Sequence, residues 1–163
     1  CKEFWGRRKS CLWSSMASYP NREVMITDVC VPLTELPALM EDTKRLIADS
    51  GLPCPIVAHA GDGNVHVFIH FLSDSQDEVS SAKNLARKMA LGAIALGGTC
   101  TGEHGVGVGK RELLVREVGS EGVALMRSIK RALDPTEIMN PGKILFLEDR
   151  ETDTAAALNA LKK

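Results

Sequence analysis

Apolar positions along the chain follow two periods. In 4-FWGRRKSCLWSSMA-17, Trp5, Leu12 and Met16 recur on one helical face, with Arg8 among them, and Pro20-Asn21 ends the run. The stretch 24-VMITDVCVP-32 alternates and is rich in β-branched residues, so it predicts a strand that Pro32 stops. In 34-TELPALMEDTKRLIADSG-51, Leu36, Leu39, Met40, Thr43, Leu46 and Ile47 share a face. Thr34 is the candidate N-cap there, Pro37 is tolerated in the first turn, and Gly51 is the stop. Two further strands, 55-PIVAH-59 and 65-VHVFIHF-71, flank a Gly/Asp/Asn turn. Parity splits the second strand: Val65, Val67, Ile69 and Phe71 point one way, and His66, Phe68 and His70 the other. The first set reads as core. The second carries two imidazoles and must meet something other than hydrocarbon.

A second long helix is predicted over 77–98, ended by Gly97-Gly98, and a glycine-rich loop, 99-TCTGEHGVGVGK-110, follows it. Two shorter helices are predicted near 111–118 and 120–133, with Ser120 able to cap the second and Asp134-Pro135 terminating it. Residues 138–146 read as a turn plus a short extended piece. The order predicts an α+β fold: a ferredoxin-like antiparallel sheet with helices on one face, plus a helical C-terminal segment. Residues 1–147 form one unit, and 148–163 are a polar, then Ala-rich tail. Three strands are few for this length, which points to a neighbour that completes the sheet.

Composition excludes several classes. With 20 basic and 21 acidic residues, the net charge is -1, and no basic stripe points to nucleic acid. No apolar run reaches the roughly 18 residues that a membrane span needs. The five cysteines are scattered, their count is odd and no C-x-x-C occurs, which fits free thiols in a reducing compartment.

The glycine-rich loop is neither a Walker A loop nor a dinucleotide fingerprint. His104 stands at the first glycine position before Gly109-Lys110, Arg111 replaces the Ser or Thr, and Lys110 stands at the third fingerprint position. Within the loop, Glu103 and His104 are flanked by Gly102 and Gly105. In 59-HAGDGNVH-66, His59 and His66 bracket one hairpin mouth. Two imidazoles and a carboxylate suit a divalent ion such as Zn²⁺ or Mn²⁺. The competing reading is a solvated turn in which Asp62-Gly63 is simply a good hairpin sequence. Arg8 either snorkels to a rim or aims its planar fork at a carboxylate. His70 lies further out and reads as structural.

H-A-G-D-G-N-V-H, G-E-H-G-V-G-V-G-K and A-L-D-P-x-x-I-M-N-P-G-K-I, in this order, resemble the C-terminal half of the FAD-linked D-2-hydroxy-acid dehydrogenases, flavoproteins of the vanillyl-alcohol-oxidase type. Within that family, 27-TDVCVP-32 and the lead helix with Arg8 most resemble the mitochondrial branch that oxidises D-lactate and passes electrons to cytochrome c. The resemblance spans about residues 4–147. It implies that His59, His66 and Glu103 bind a divalent metal, Zn or Mn, and that His104 is the general base. It implies that Arg8 binds the carboxylate of a small 2-hydroxy acid and that Asn140 touches FAD. Relatives that act on a diacid carry Asn and Lys where Phe68 and Ile26 stand here, so a short or aliphatic substrate such as D-lactate is expected, giving pyruvate. Glycolate or another D-2-hydroxy acid is the enzymatic alternative, and an inactive metal-binding or association module is the non-enzymatic one.

The family's FAD-binding domain lies upstream and nothing here resembles it. The chain is therefore expected to be a C-terminal portion that does not turn over substrate alone, with FAD held mainly elsewhere. Its exposed face would favour association between copies, and its mitochondrial setting rests on the resemblance.

Overall fold

The computed structural model describes residues 2–146, with side chains from residue 6 onward; the side chain of Trp5 and the tail 148–163 lie outside the described residues. The helical segments are α1 (Lys2–Lys9), α2 (Cys11–Ser18), α3 (Leu36–Ser50), α4 (Gln76–Ala95) and α5 (Arg111–Leu133). The strands are β1 (Glu23–Ile26), β2 (Val29–Cys30), β3 (Ile56–His59) and β4 (Asn64–Phe71). No helix among the described residues is long and apolar enough to cross a membrane.

β4 is the central lane. It pairs antiparallel with β3 on one side and with β1 and β2 on the other. Beyond β2, Thr99 bridges antiparallel to Cys30. The lanes and their helical crossovers follow the β-α-β-β-α-β order of a ferredoxin-like fold. On β4, Val65, Val67, Ile69 and Phe71 enter the core with Val29 and Leu39, and with Leu85, Met89 and Ala93 of α4. α3 and α4 cover this face and pack against each other. The expected α+β architecture is therefore present.

The predicted strand 24–32 is interrupted. Its register does not slip: Ile26 faces Phe68 and Val29 faces Val65. At Thr27 the ladder is half replaced by a side chain. Thr27 N–H donates to Val67 O at 3.0 Å, but Val67 N–H donates to Thr27 Oγ1 at 2.8 Å rather than to its carbonyl. A β-branched residue with a hydroxyl can hold strand geometry and still release its own carbonyl, and alternation does not reveal this.

Other boundaries shift for local reasons. The single lead helix breaks at Ser10, and Ser15 is its buried position rather than Met16, which is 39% exposed. Thr34 is not the cap: a 3-10 turn over Leu33–Glu35 precedes α3, and Glu35 stands at its N-cap. α4 is capped by Ser75, whose Oγ accepts from Glu78 N–H. α5 contains the predicted break, since Gly119 adopts φ 76 and ψ 168 between its two halves.

Thr27→Val keeps the β-branched shape and removes the acceptor of Val67 N–H. It is expected to cost about 1–3 kcal/mol in urea unfolding, the penalty of a buried orphaned donor. A loss below about 0.5 kcal/mol would show that the ladder does not need the hydroxyl.

Candidate metal and substrate site

Strand register puts the candidate residues on the sheet face opposite the α3/α4 core. His59 faces Asn64 across the hairpin, Val57 faces His66, and Ile26 faces Phe68. Asp28 lies on the same face, opposite His66 in the unslipped register. The hairpin is tight enough to bring His59 and His66 together, with ring centroids 5.5 Å apart and planes near perpendicular. Gly63 makes this possible. Its φ is 75°, and a Cβ there would fall 2.1 Å from the Val31 carbonyl oxygen.

The glycine-rich loop arrives from the far side of the sheet, tied down by Asp28. This carboxylate is 2% exposed with its residue and accepts Glu103 N–H at 3.0 Å and His104 N–H at 2.8 Å. It also accepts the Thr101 hydroxyl at 3.1 Å and the Asn64 amide at 3.3 Å, and Lys110 Nζ stands 3.8 Å away while donating to Asp28 O. Burial works to raise the Asp28 pKa. The two backbone donors, with Lys110 and Thr101, outweigh it and hold the carboxyl below its ordinary value. Burial likewise lowers the Lys110 pKa against the pull of Asp28. Gly102 is required here too, because a Cβ would sit 2.3 Å from Asn64 Nδ2.

So held, the loop presents Glu103 to both histidines. Glu103 Oε1 is 2.9 Å from His66 Nε2 and 3.5 Å from His59 Nε2. The ligand atoms of His59, His66 and Glu103 lie within 4.8 Å of one another. His66 Nδ1 lies 3.0 Å from the released Thr27 carbonyl, the usual arrangement that orients a metal-binding imidazole through its other nitrogen. A second grouping, Asp28, His66 and His104, meets the same distance limit. It fits an ion less well, because Asp28 is already occupied by donors and the His66 nitrogen that it faces, Nδ1, is taken by Thr27 O. Two imidazoles and a partly exposed carboxylate suit a borderline divalent ion and leave positions open to substrate oxygens.

The other expected residues are placed as follows. His104 flanks the group, its ring 5.4 Å from that of His66 and its Nε2 3.7 Å from Glu103 Oε1. Its side chain is 59% exposed, so it can be reached from solution. Arg8 Nη2 lies 2.5 Å from His59 Nδ1 and 3.1 Å from Nε2. Asn140 is not part of this cluster. It is exposed, with φ 49, on a turn that Asp134 holds by accepting Ile138 and Met139 N–H at 3.1 and 2.9 Å. That turn is bonded to the loop: Ile144 N–H donates to Gly107 O at 2.7 Å and Arg111 donates to Gly142 O at 2.8 Å. Asp28, Thr27, Asn64 and Lys110 were not foreseen. The available signal was the polar pair Thr27-Asp28 inside an otherwise apolar strand.

The site is thus a two-histidine, one-glutamate group beside an arginine, on the sheet face opposite the core. The chain belongs to the family of FAD linked oxidases, C-terminal domain, which matches residues 1–144. It is 47% identical to the mitochondrial D-lactate dehydrogenase [cytochrome] of Arabidopsis thaliana over 88% of this chain and 25% of that protein. It is 40% identical to the probable mitochondrial D-lactate dehydrogenase of Danio rerio, over 91% of this chain and 30% of that protein. The glycolate oxidase subunit GlcD of Escherichia coli (strain K12) is 32% identical over 86% of this chain and 28% of its own length. The chain thus spans between 25% and 30% of these relatives.

The depressed Asp28 pKa gives a pH signature. A carboxyl held below 3.8 contributes its stability in full above that value and loses it as pH falls through the lower folded value. Unfolding free energy is expected to drop at acid pH, with loop amides 101–105 exchanging faster there. Asp28→Asn should lower stability at pH 7 by about 1–3 kcal/mol and flatten the acid drop. An unaltered acid limb in Asp28→Asn would contradict this role.

Proposed function

We propose that this chain is the metal- and substrate-binding portion of an FAD-dependent dehydrogenase that oxidises D-lactate to pyruvate. The observation that carries the reading is the convergence of His59, His66 and Glu103, with Arg8 against His59 and His104 beside Glu103. Arg8 offers its planar fork to the substrate carboxylate and so sets which face of the α-carbon is presented. His104 takes the proton of the 2-hydroxyl on its ring nitrogen. Asp28 fixes the backbone of both Glu103 and His104, so ligand and base keep one spacing. His59, His66 and Glu103 would hold a Zn²⁺ or Mn²⁺ ion, which would supply Lewis acidity toward the hydroxyl, and Asn140 would touch FAD, held mainly by another domain, which would supply the hydride acceptor.

Substrate size follows from the same face. Phe68 is buried and its cross-strand partner Ile26 is apolar, so a second carboxylate finds no donor there. This favours a short side chain. The relationship to glycolate oxidase subunits keeps glycolate as the second reading. The names of the relatives support a mitochondrial setting, and that of the Arabidopsis thaliana protein supports a cytochrome as electron acceptor.

The test uses the flavoprotein that carries this chain. His104→Ala is expected to lower turnover of D-lactate by about 10²–10⁴-fold while metal content stays unchanged. His59→Ala should lose both. Full turnover in His104→Ala would overturn the base assignment, and a higher kcat/KM for glycolate than for D-lactate would favour the second reading.

A further inference from the structure

We infer that Ser15 and His70 form a positioning pair that pins the lead helices across the site face and thereby sets where Arg8 reaches; the inference rests on the proposed role of Arg8. His66, Phe68 and His70 stand in a row on that face of β4. Alternate residues on a strand are roughly 6.5–7 Å apart, so His70 lies about 13 Å from His66. At its end of the row, His70 is fully buried, and its Nε2 is 2.6 Å from Ser15 Oγ. The Tyr19 ring packs over it at 4.6 Å, tilted by 42°. At the other end, Arg8 meets His59. The lead helices therefore touch the face at both ends of the row.

The most buried point of the attachment is polar. Ser15 is the buried residue of α2, whereas Trp13 is 69% and Met16 39% exposed. One short hydrogen bond to a buried ring fixes both rotation and height. His70 Nδ1 is buried without a partner among the described residues, so the Ser15 bond is the hydrogen bond on which its side chain depends. Breaking it leaves a buried imidazole unsatisfied, and the helix then has no polar reason to hold its place. Arg22 closes the same corner, donating to His70 O at 3.4 Å and pairing with Glu78 at 2.6 Å. Burial, aided by Arg22, lowers the His70 pKa and so disfavours the charged ring.

Ser15 stands seven positions after Arg8, about 10 Å of helix, with the break at Ser10 between them. A helix pinned at Ser15 places α1, and with it the guanidinium, over the hairpin mouth. The pair acts on the substrate carboxylate through Arg8 and is hydrogen-bonded to none of the three proposed metal ligands.

Two measurements test this. In this chain, Ser15→Ala should speed hydrogen exchange of amides 6–18 by about tenfold or more, with β4 amides unchanged. In the flavoprotein that carries the chain, Ser15→Ala should raise KM for D-lactate about tenfold with kcat and metal content near normal, and Ser15→Thr, which keeps a hydroxyl, should restore it. Unchanged exchange would overturn the pinning. Faster exchange with unchanged KM would overturn the positioning role. A joint fall of kcat, metal content and β4 protection, not rescued by Ser15→Thr, would reduce the pair to a general structural contact. Absence of D-lactate turnover in the unaltered flavoprotein would instead overturn the proposed function, and the exchange result would still decide the pinning.

Discussion

A carboxylate buried beneath a sheet persists only if donors surround it, and Asp28 meets that condition with donors drawn from three parts of the chain. Glu103 and His104 give backbone N–H groups, Thr101 a hydroxyl, Asn64 an amide, and Lys110 a nearby ammonium. The donors are sequence-distant, so satisfying the charge is the same event as docking the glycine-rich loop onto the strands. Glu103 and His104 are aimed by this bond set, since their own side chains are half exposed and have little packing to restrain them. The interruption at Thr27 completes the arrangement. The carbonyl that leaves the ladder becomes the partner of His66 Nδ1, and the ladder is closed by the threonine hydroxyl instead.

The central strand divides the labour of the domain by parity. Odd-numbered residues of β4 build the core with α3 and α4, and even-numbered ones build a polar face with two ends. One end holds His66 in the candidate ligand group, and the other holds His70 against the lead helix. Phe68 separates them and is buried. A single strand thus sets the spacing between the chemistry and the support of the residue proposed to bind substrate.

Much of this was legible in the chain. Alternation in 65–71 separated core from site face, the two glycine-bounded motifs pointed to His59, His66, Glu103 and His104, and the two helices predicted near 111–118 and 120–133 marked the break in α5. What was not legible arises from bonds that close over long separations. Asp28 looked like half of a polar pair in an apolar strand, because its partners lie up to 82 residues away. Ser10 and Ser15 gave no sign that the lead helix would break and turn a hydroxyl inward, since that depends on a buried imidazole 55 residues further on. Thr34 matched the preference for an N-cap, yet Pro32 starts a 3-10 turn that moves the cap to Glu35.

The central claim is that the released Thr27 carbonyl holds His66 by Nδ1 so that Nε2 faces Glu103 and an ion. Long-range ¹H–¹⁵N NMR of the ¹⁵N-histidine-labelled chain, titrated with Zn²⁺, tests it directly. The expected result is a metal-induced shift of His66 Nε2 with a retained Nδ1–H, accompanied by a shift of His59. Zinc bound through His66 Nδ1, or saturating zinc that leaves both rings unchanged, would contradict the account.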